Sequence, residues 1–381
     1  MFICIIAGGS GTRLWPLSTP KKPKQILPIV GNKTLIKYTY DLVAKVTDSS
    51  NIFIVSEKTH YKTIIKQLSG FKKENMIVEP YRKGIFNCIA LAYGKIKTLA
   101  NQPIVFVHVD HIVDNEKKFI SSIKKAYSLS KTQDSIVIGG KKPNSPQSKY
   151  GYVECKISHG LCKVLKFIEK PPYEKAKILI KKQNIFWNEG FFISSFENFI
   201  SEVKTNNKSL FPDIMKLMQL VRNKKSFVKM YKNLKKDTIE CVLLNKSTNL
   251  LLSPISFVWT DVGTFDSIYS LEHKDKNKNV IHGRFTIKNV KKSLLINQTK
   301  INFIINSLDD IAVIATVNGI VIADLKIKKN LLDKYVSEPM LKKVQTFLYN
   351  KSLLKNTSSY KIKIIGLDKK ICIAKNKIEI N

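Results

Sequence analysis

The chain has 381 residues, 44% of them hydrophobic and 9% aromatic, enough for two or three domains with a large buried core, which excludes a disordered chain. No stretch approaches the ~18 to 20 consecutive apolar residues that cross a bilayer, which excludes a membrane span. The formal charge of +36 invites a nucleic-acid partner, but only Arg13, Arg82, Arg222 and Arg284 among the 65 basic residues are arginine, and the lysines are spread along the chain. A surface that reads or tracks nucleic acid clusters arginine. Neither nucleic acid nor a membrane is therefore an expected partner, and the charge is expected to concentrate anionic substrates.

Residues 2–6 are apolar, yet no basic residue precedes them and glycines follow at once, so they read as a buried first strand and not as a secretory signal. The six cysteines (Cys4, Cys88, Cys155, Cys162, Cys241 and Cys372) form no C-x-x-C pair and join no histidine cluster at zinc spacing. Free thiols in a reducing cytoplasm are the expectation. Runs rich in Val and Ile at 2–6, 52–55, 104–109 and 136–138 predict strands, separated by amphipathic helical segments at 35–46, 60–68 and 119–129. That alternation predicts an α/β core with a parallel sheet, whose active groups sit in loops at the strands' carboxyl ends. Residues 201–250 read as mainly helical, and 254–259 as one further strand. From 279 to about 325, short Val/Ile/Leu runs broken by Asn, Gly and Asp predict a small all-β module. A helical stretch is expected from Leu331, and strand-like alternation returns over 360–380.

The segment Ala7-Gly-Gly-Ser-Gly-Thr-Arg-Leu-Trp-Pro-Leu-Ser, completed by Pro23-Lys-Gln, directly follows the first strand. Glycines there let backbone N–H groups approach phosphate oxygens. The lysine-serine ending of a Walker loop is missing, and the spacing does not match G-x-G-x-x-G. Arg13 offers a bidentate fork to terminal phosphates, and Lys24 a point charge to the phosphorus under attack. Attack by a phosphate oxygen on a nucleoside triphosphate needs alignment and charge neutralisation more than acid–base groups. Asp110 and Asp261, each at the end of a strand-like run, are candidate ligands for Mg²⁺. His111, beside Asp110, can bond a ligand or orient that carboxylate, and is not expected to be a catalytic base.

These residues resemble a known family. Gly8-Gly9-x-Gly11-Thr12-Arg13-Leu14-Trp15-Pro16-Leu17-Ser18 with Pro23-Lys24-Gln25 is similar to the signature of the nucleotide-sugar pyrophosphorylases, in the form typical of mannose-1-phosphate guanylyltransferases. Further similar segments follow in order: Ile54-Val-Ser-Glu, Ile77-Val-Glu-Pro80, Val109-Asp110-His111, Tyr150-Gly-Tyr-Val-Glu154, Phe167-Ile-Glu-Lys-Pro171, Trp187-Asn-Glu-Gly-Phe191 and Trp259-Thr-Asp-Val-Gly263. The resemblance implies a Rossmann-like, GT-A-like nucleotidyltransferase domain with a mixed, mainly parallel sheet over 1–272. It also implies a short left-handed β-helix-like domain over 279–330, followed by an extension over 331–381 of unassigned role.

It implies nucleotide binding by Ala7, Gly8, Gly9, Gly11, Thr12, Arg13, Lys24, Glu79 and Asp110, and sugar-phosphate binding by Gly151, Glu169, Lys170, Asn188 and Gly190. Catalysis would fall to Arg13, Lys24, Asp110 and Asp261, with Asp110 and Asp261 on the metal. The implied reaction joins GTP and mannose 1-phosphate into GDP-mannose and pyrophosphate for polysaccharide synthesis. The assembly stays open, a homodimer being one candidate. No cupin-like stretch follows residue 330, so a single activity is expected.

Two segments depart from the family. Where its pattern runs Arg-Asn-Thr-Ala-Pro after Glu79-Pro80, this chain has Lys83-Gly-Ile-Phe-Asn87, and where it runs Ser-Ile-Asp-Tyr-Ala, this chain has Thr238-Ile-Glu240-Cys-Val. Another base or another sugar 1-phosphate is thus an alternative, as is a non-catalytic regulatory relative. Retention of Arg13, Lys24, Asp110 and Asp261 weighs against the last.

Overall fold

The computed structural model describes residues 1–9, 11–96 and 102–326, together with the backbone of 362–364, 371–374 and 377–380. By compactness the chain divides into two units. The first holds Met1–Gly8 and Ile36–Thr260, and the second Gly9–Leu35 and Asp261–Asn381. Among the described residues no helix is long and apolar enough to cross a membrane.

The first unit is built on a nine-stranded sheet. Its strands in chain order are β1 (Phe2–Ile6), β2 (Ile52–Glu57), β3 (Met76–Glu79), β4 (Ile104–His108), β6 (Ile136–Lys141), β7 (Gly151–Ser158), β8 (Leu161–Ile168), β9 (Ile185–Ser194) and β10 (Leu250–Pro254); β5 (His111–Val113) stands outside it. Across the sheet the order is β3-β2-β1-β4-β9-β6-β10-β8-β7. The first four strands of that order are mutually parallel, with Ile3 beside Ile52 and Val105. Of these, β1, β2 and β4 carry expected apolar runs, and successive residues along each are buried. β9 is antiparallel to both β4 and β6, so the sheet is mixed and its parallel character is concentrated in the first half.

Helix Ile85–Lys95 is buried from Phe86 to Gly94. At Gly94 an added Cβ would lie 2.9 Å from Cβ of Val221, so glycine lets helix Phe211–Arg222 pack closely. Helix Glu116–Gln133 begins where the Asn115 carboxamide accepts the Lys118 N–H at 3.0 Å, and it buries Phe119, Ser122, Ile123 and Ala126, a stripe at helical spacing.

The single strand expected at 254–259 is absent. β10 ends at Pro254, and a separate strand, β11 (Trp259–Asp261), pairs with β5. Between them Val258 exchanges hydrogen bonds with Asp114, its N–H reaching the carboxylate at 2.8 Å and its carbonyl accepting the Asp114 N–H at 3.1 Å. The two ends of one apolar run thus belong to different strands, with residues 255–258 in neither.

In the second unit, β12 (Val280–His282), β14 (Leu294–Asn297) and β16 (Ile311–Thr316) stack in parallel, as do β13 (Phe285–Lys288) and β15 (Asn302–Asn306). β17 (Gly319–Asp324) folds back on β16 as an antiparallel hairpin. Leu295, Phe303, Ile305, Val313, Ala315, Ile320 and Ile322 fill the space between the ladders. This is the short β-helix-like module. Strands 362–364 and 377–380 extend its ladders beside β17 and β15. The helical stretch expected from Leu331 lies outside the described residues.

Candidate functional site

The glycine loop belongs to the second unit from Gly9 onward. Gly9 and Gly11 take φ of 111° and 63°, a region open mainly to glycine. At Gly11 the need is also steric, because a Cβ would stand 2.9 Å from the backbone nitrogen of Lys24. Three bonds close the loop around that contact. The Ser18 hydroxyl and the Leu14 N–H donate to the Gly11 carbonyl, and the Gln25 carboxamide donates to the Gly9 carbonyl at 3.0 Å. Arg13 is half-buried in the turn Thr12–Leu14, and the side chain of Thr12 lies outside the described residues.

Lys24 is nearly buried. Its Nζ lies 2.7 Å from the Val262 carbonyl and 3.3 Å from the Asp261 carboxylate, which brings two of the expected site residues together. The Asp261 side chain remains 46% exposed. It lies over Gly263, where a Cβ would come within 3.0 Å of its Oδ2. A buried ammonium held by a carbonyl and an exposed carboxylate presents a cation and a hard oxygen donor side by side.

In the first unit, β1 delivers Ala7, whose N–H donates to the Val55 carbonyl at 2.8 Å and whose carbonyl accepts the Ser56 hydroxyl at 3.2 Å. An added Cβ on Gly8 would meet nothing within 4 Å. Asp110 follows β4 at its carboxyl end. The turn there is fixed by the Val109 N–H on the Ile6 carbonyl at 3.2 Å and the Thr39 hydroxyl on the Val109 carbonyl at 3.1 Å. His111 places Nδ1 3.8 Å from the Asp110 carboxylate, and its ring meets Trp259 edge-on at 4.8 Å between centroids.

The expected sugar-side residues gather in the same unit. Gly151 and Asn188 are register partners on β7 and β9, and a Cβ on Gly151 would approach the Glu169 carboxylate to 3.1 Å. Lys170 takes a left-handed φ of 41° and turns its ammonium onto Glu169. Gly190, at φ of 103°, faces the Trp259 ring, which a Cβ would approach to 3.2 Å. Glycine at 151 and 190 therefore lets Phe167, Glu169 and Trp259 pack directly against the two strands.

Glu79 ends β3. It is 3% exposed, accepting the Lys83 N–H at 2.8 Å and the Tyr231 hydroxyl at 2.9 Å. Burial pushes its carboxyl above the usual range, and those two donors oppose the shift. Its bonds fasten the 83–87 segment, of which Ile85 to Asn87 form the first turn of helix Ile85–Lys95. There the Lys83 carbonyl accepts the Asp237 N–H at 3.0 Å, and the Asn87 carboxamide donates to the carbonyls of Lys83 and Lys235 at 2.7 and 3.0 Å. The segment that departs from the family pattern is thus firmly built into this chain.

Glu189, absent from the expected site, is buried on β9 between Asn188 and Gly190, and its Oε2 has no hydrogen-bond partner. Burial pushes its carboxyl up to about 7, against the opposing charges of Lys141 and Lys149. The alternation of β9 held the signal, since Glu189 sits two residues from both Trp187 and Phe191, which are buried. Gln25 was likewise legible, being next to Lys24.

Residues 3–278 match the family model described as Nucleotidyl transferase. A mannose-1-phosphate guanylyltransferase of Escherichia coli is 29% identical over 338 residues, covering 84% of this chain and 71% of that protein. The alginate biosynthesis protein AlgA of Pseudomonas putida is 25% identical over 335 residues, covering 85% and 68%. Among solved structures, a Thermus thermophilus protein named mannose-1-phosphate geranyltransferase superposes with a TM-score of 0.76 at 20% identity, covering 91% of this chain and 99% of that one. That likeness shows a shared fold. With most of its length matched by the family model, the chain belongs to the nucleotidyl transferase family.

Proposed function

We propose that this chain is a mannose-1-phosphate guanylyltransferase. The observation that carries the reading is Lys24, whose ammonium the Gly11-pinned loop sets between the Val262 carbonyl and the Asp261 carboxylate; the names of the E. coli and Salmonella muenchen relatives supply the substrates. A phosphate oxygen of mannose 1-phosphate attacks the α-phosphorus of GTP, the bond from that phosphorus to the bridging β-oxygen breaks, and pyrophosphate leaves with the electron pair. No net proton transfer is needed, which suits a site of cations and positioning groups.

The loop amides and Arg13 hold the triphosphate, and Lys24 offsets the charge that builds in the transition state. Asn188 and Glu169 bond the sugar hydroxyls, and Lys170 pairs with the sugar phosphate. Asp110 and Asp261 are the carboxylates that would hold Mg²⁺; both are accessible hard oxygen donors at strand ends, which fits that ion. When bound, it supplies charge neutralisation at the phosphates.

A reducing cytoplasm is supported by the free thiols of Cys4, Cys88, Cys155, Cys162 and Cys241. A homodimer rests on family resemblance alone, and its test is a light-scattering mass of twice 43.5 kDa. One observation favours a second reading of the base. The 83–87 segment, held by Glu79, Asp237 and Lys235, differs from the family pattern and is expected to alter the preference for guanine.

The deciding experiment measures pyrophosphate release for GTP, ATP, UTP and CTP, each with mannose 1-phosphate, glucose 1-phosphate and N-acetylglucosamine 1-phosphate. The highest kcat/KM is expected for GTP with mannose 1-phosphate. A higher value for another triphosphate selects the second reading, and release from no pair by the folded protein overturns both.

A further inference from the structure

The glycine loop is closed by short-range bonds among its own residues, and two bonds reach it from a point 300 residues on. The Thr316 hydroxyl and the Asn318 carboxamide both donate to the carbonyl of Pro16, each at 3.1 Å. Thr316 is buried and ends β16, whereas Asn318 lies in the two-residue turn between β16 and β17. The turn is braced from within, since the Asn318 N–H donates to the Thr316 hydroxyl oxygen at 3.0 Å and Thr316 is the register partner of Gly319. Beneath it Ala315, Val313 and Ile320 belong to the packed interior of the β-module. The hairpin is therefore a stiff support, and the donors at its tip are fixed.

What they fix is passed along the loop by a chain of turn bonds. The Leu17 and Ser18 N–H groups donate to the Leu14 carbonyl at 2.8 and 3.2 Å, and the Leu14 N–H donates to the Gly11 carbonyl at 3.1 Å. Pro16 lies inside that chain, three residues after Arg13. Its carbonyl is an acceptor with two lone pairs, and both are used by one hairpin. Loop and hairpin also belong to the same compact unit.

We propose that Thr316 and Asn318 are positioning residues for the nucleotide loop, so that the β-module sets where the amides of Gly9 and Gly11 and the guanidinium of Arg13 stand. The inference rests on the reading of the loop as the triphosphate site. Misplacing a positioning group by about 1 Å costs up to a hundredfold in rate, which sets the scale of the effect.

The test compares the wild type with Thr316→Val, which keeps the side-chain volume and removes the hydroxyl, with Thr316→Val/Asn318→Ala, and with Thr316→Ser, which restores the donor. Three quantities are read: Tm, KM for GTP against KM for mannose 1-phosphate, and hydrogen exchange of the backbone amides between Gly11 and Ser18 against those of β14. The double variant is expected to raise KM for GTP about tenfold, to leave KM for the sugar phosphate within about twofold, and to speed loop exchange while β14 keeps its protection. Thr316→Ser is expected to recover most of both effects.

Unchanged loop exchange and unchanged KM in the double variant would overturn the inference. So would a parallel rise of both KM values with a large fall in Tm, because that pattern belongs to general loosening. If the wild type releases no pyrophosphate, the proposed function fails, and the exchange comparison still decides whether the hairpin holds the loop.

Discussion

Glu189 carries an electrostatic strain that can be measured. Its carboxyl, whose ordinary value is 4.5, is pushed up to about 7 by burial. Between those values the unfolded chain releases the proton and the folded chain keeps it, so folding stability falls as pH rises from about 4.5 to about 7 and stays lowered above that. Glu189→Gln removes the charge at nearly constant volume. The variant is expected to exceed the wild type in stability by roughly 3 kcal/mol at pH 8, taking ~1.4 kcal/mol for each pH unit that separates the folded from the ordinary value, and to match it at pH 4. Urea titrations at the two pH values check this, and a difference that does not depend on pH removes the assignment. Individual residues were legible in the sequence where chemistry demands one type at one place, as with Gly11 against Lys24 and Lys24 beside Asp261. Glu79 shows the limit. Its motif was visible, yet its partner Tyr231 lies 152 residues away, and only the fold shows the carboxylate turned into the protein to fasten a loop.

The element most distinctive of this chain is the 83–87 segment, the entry into helix Ile85–Lys95. Gly84 holds φ of 91°, and a Cβ there would stand 2.0 Å from the Asp237 carbonyl, so no side-chain rotation relieves the clash. Gly84→Ala is expected to cost about 2 kcal/mol or more and to shift the loop's attachment to Asp237. Chemical denaturation measures the loss, which a change of less than about 0.5 kcal/mol would refute. The strands of the parallel half were readable because burial on both faces leaves a continuous Val/Ile run, as in β1, β2 and β4. The run at 254–259 misled for the same reason. Ile255, Phe257 and Trp259 are all buried, but the choice of partner, β6 beside Pro254 and β5 beside Trp259, is made by long-range pairing. β7 and β8 offered a weaker signal, because their apolar residues are not confined to one face and Ile157 and Leu165 are exposed.

At the scale of the whole chain, the sequence showed an α/β part followed by an all-β part. It did not show that the glycine loop is grouped by contacts with the β-module, because that grouping joins Gly9–Leu35 to residues beyond Asp261 across the entire α/β stretch. The cysteines give this architecture a further use. Cys4, Cys88, Cys155 and Cys162 are buried thiols on β1, helix Ile85–Lys95, β7 and β8, and burial raises the pKa of each, Cys155 up to about 12. A thiol so shielded reacts with an aromatic disulfide reagent only when its surroundings come apart. With the exposed Cys241 and also Cys372 replaced by serine, the modification rate at each of the four becomes a local clock of opening. Cys4, in the middle of the parallel strands, should be labelled last, and the hairpin thiols Cys155 and Cys162 first.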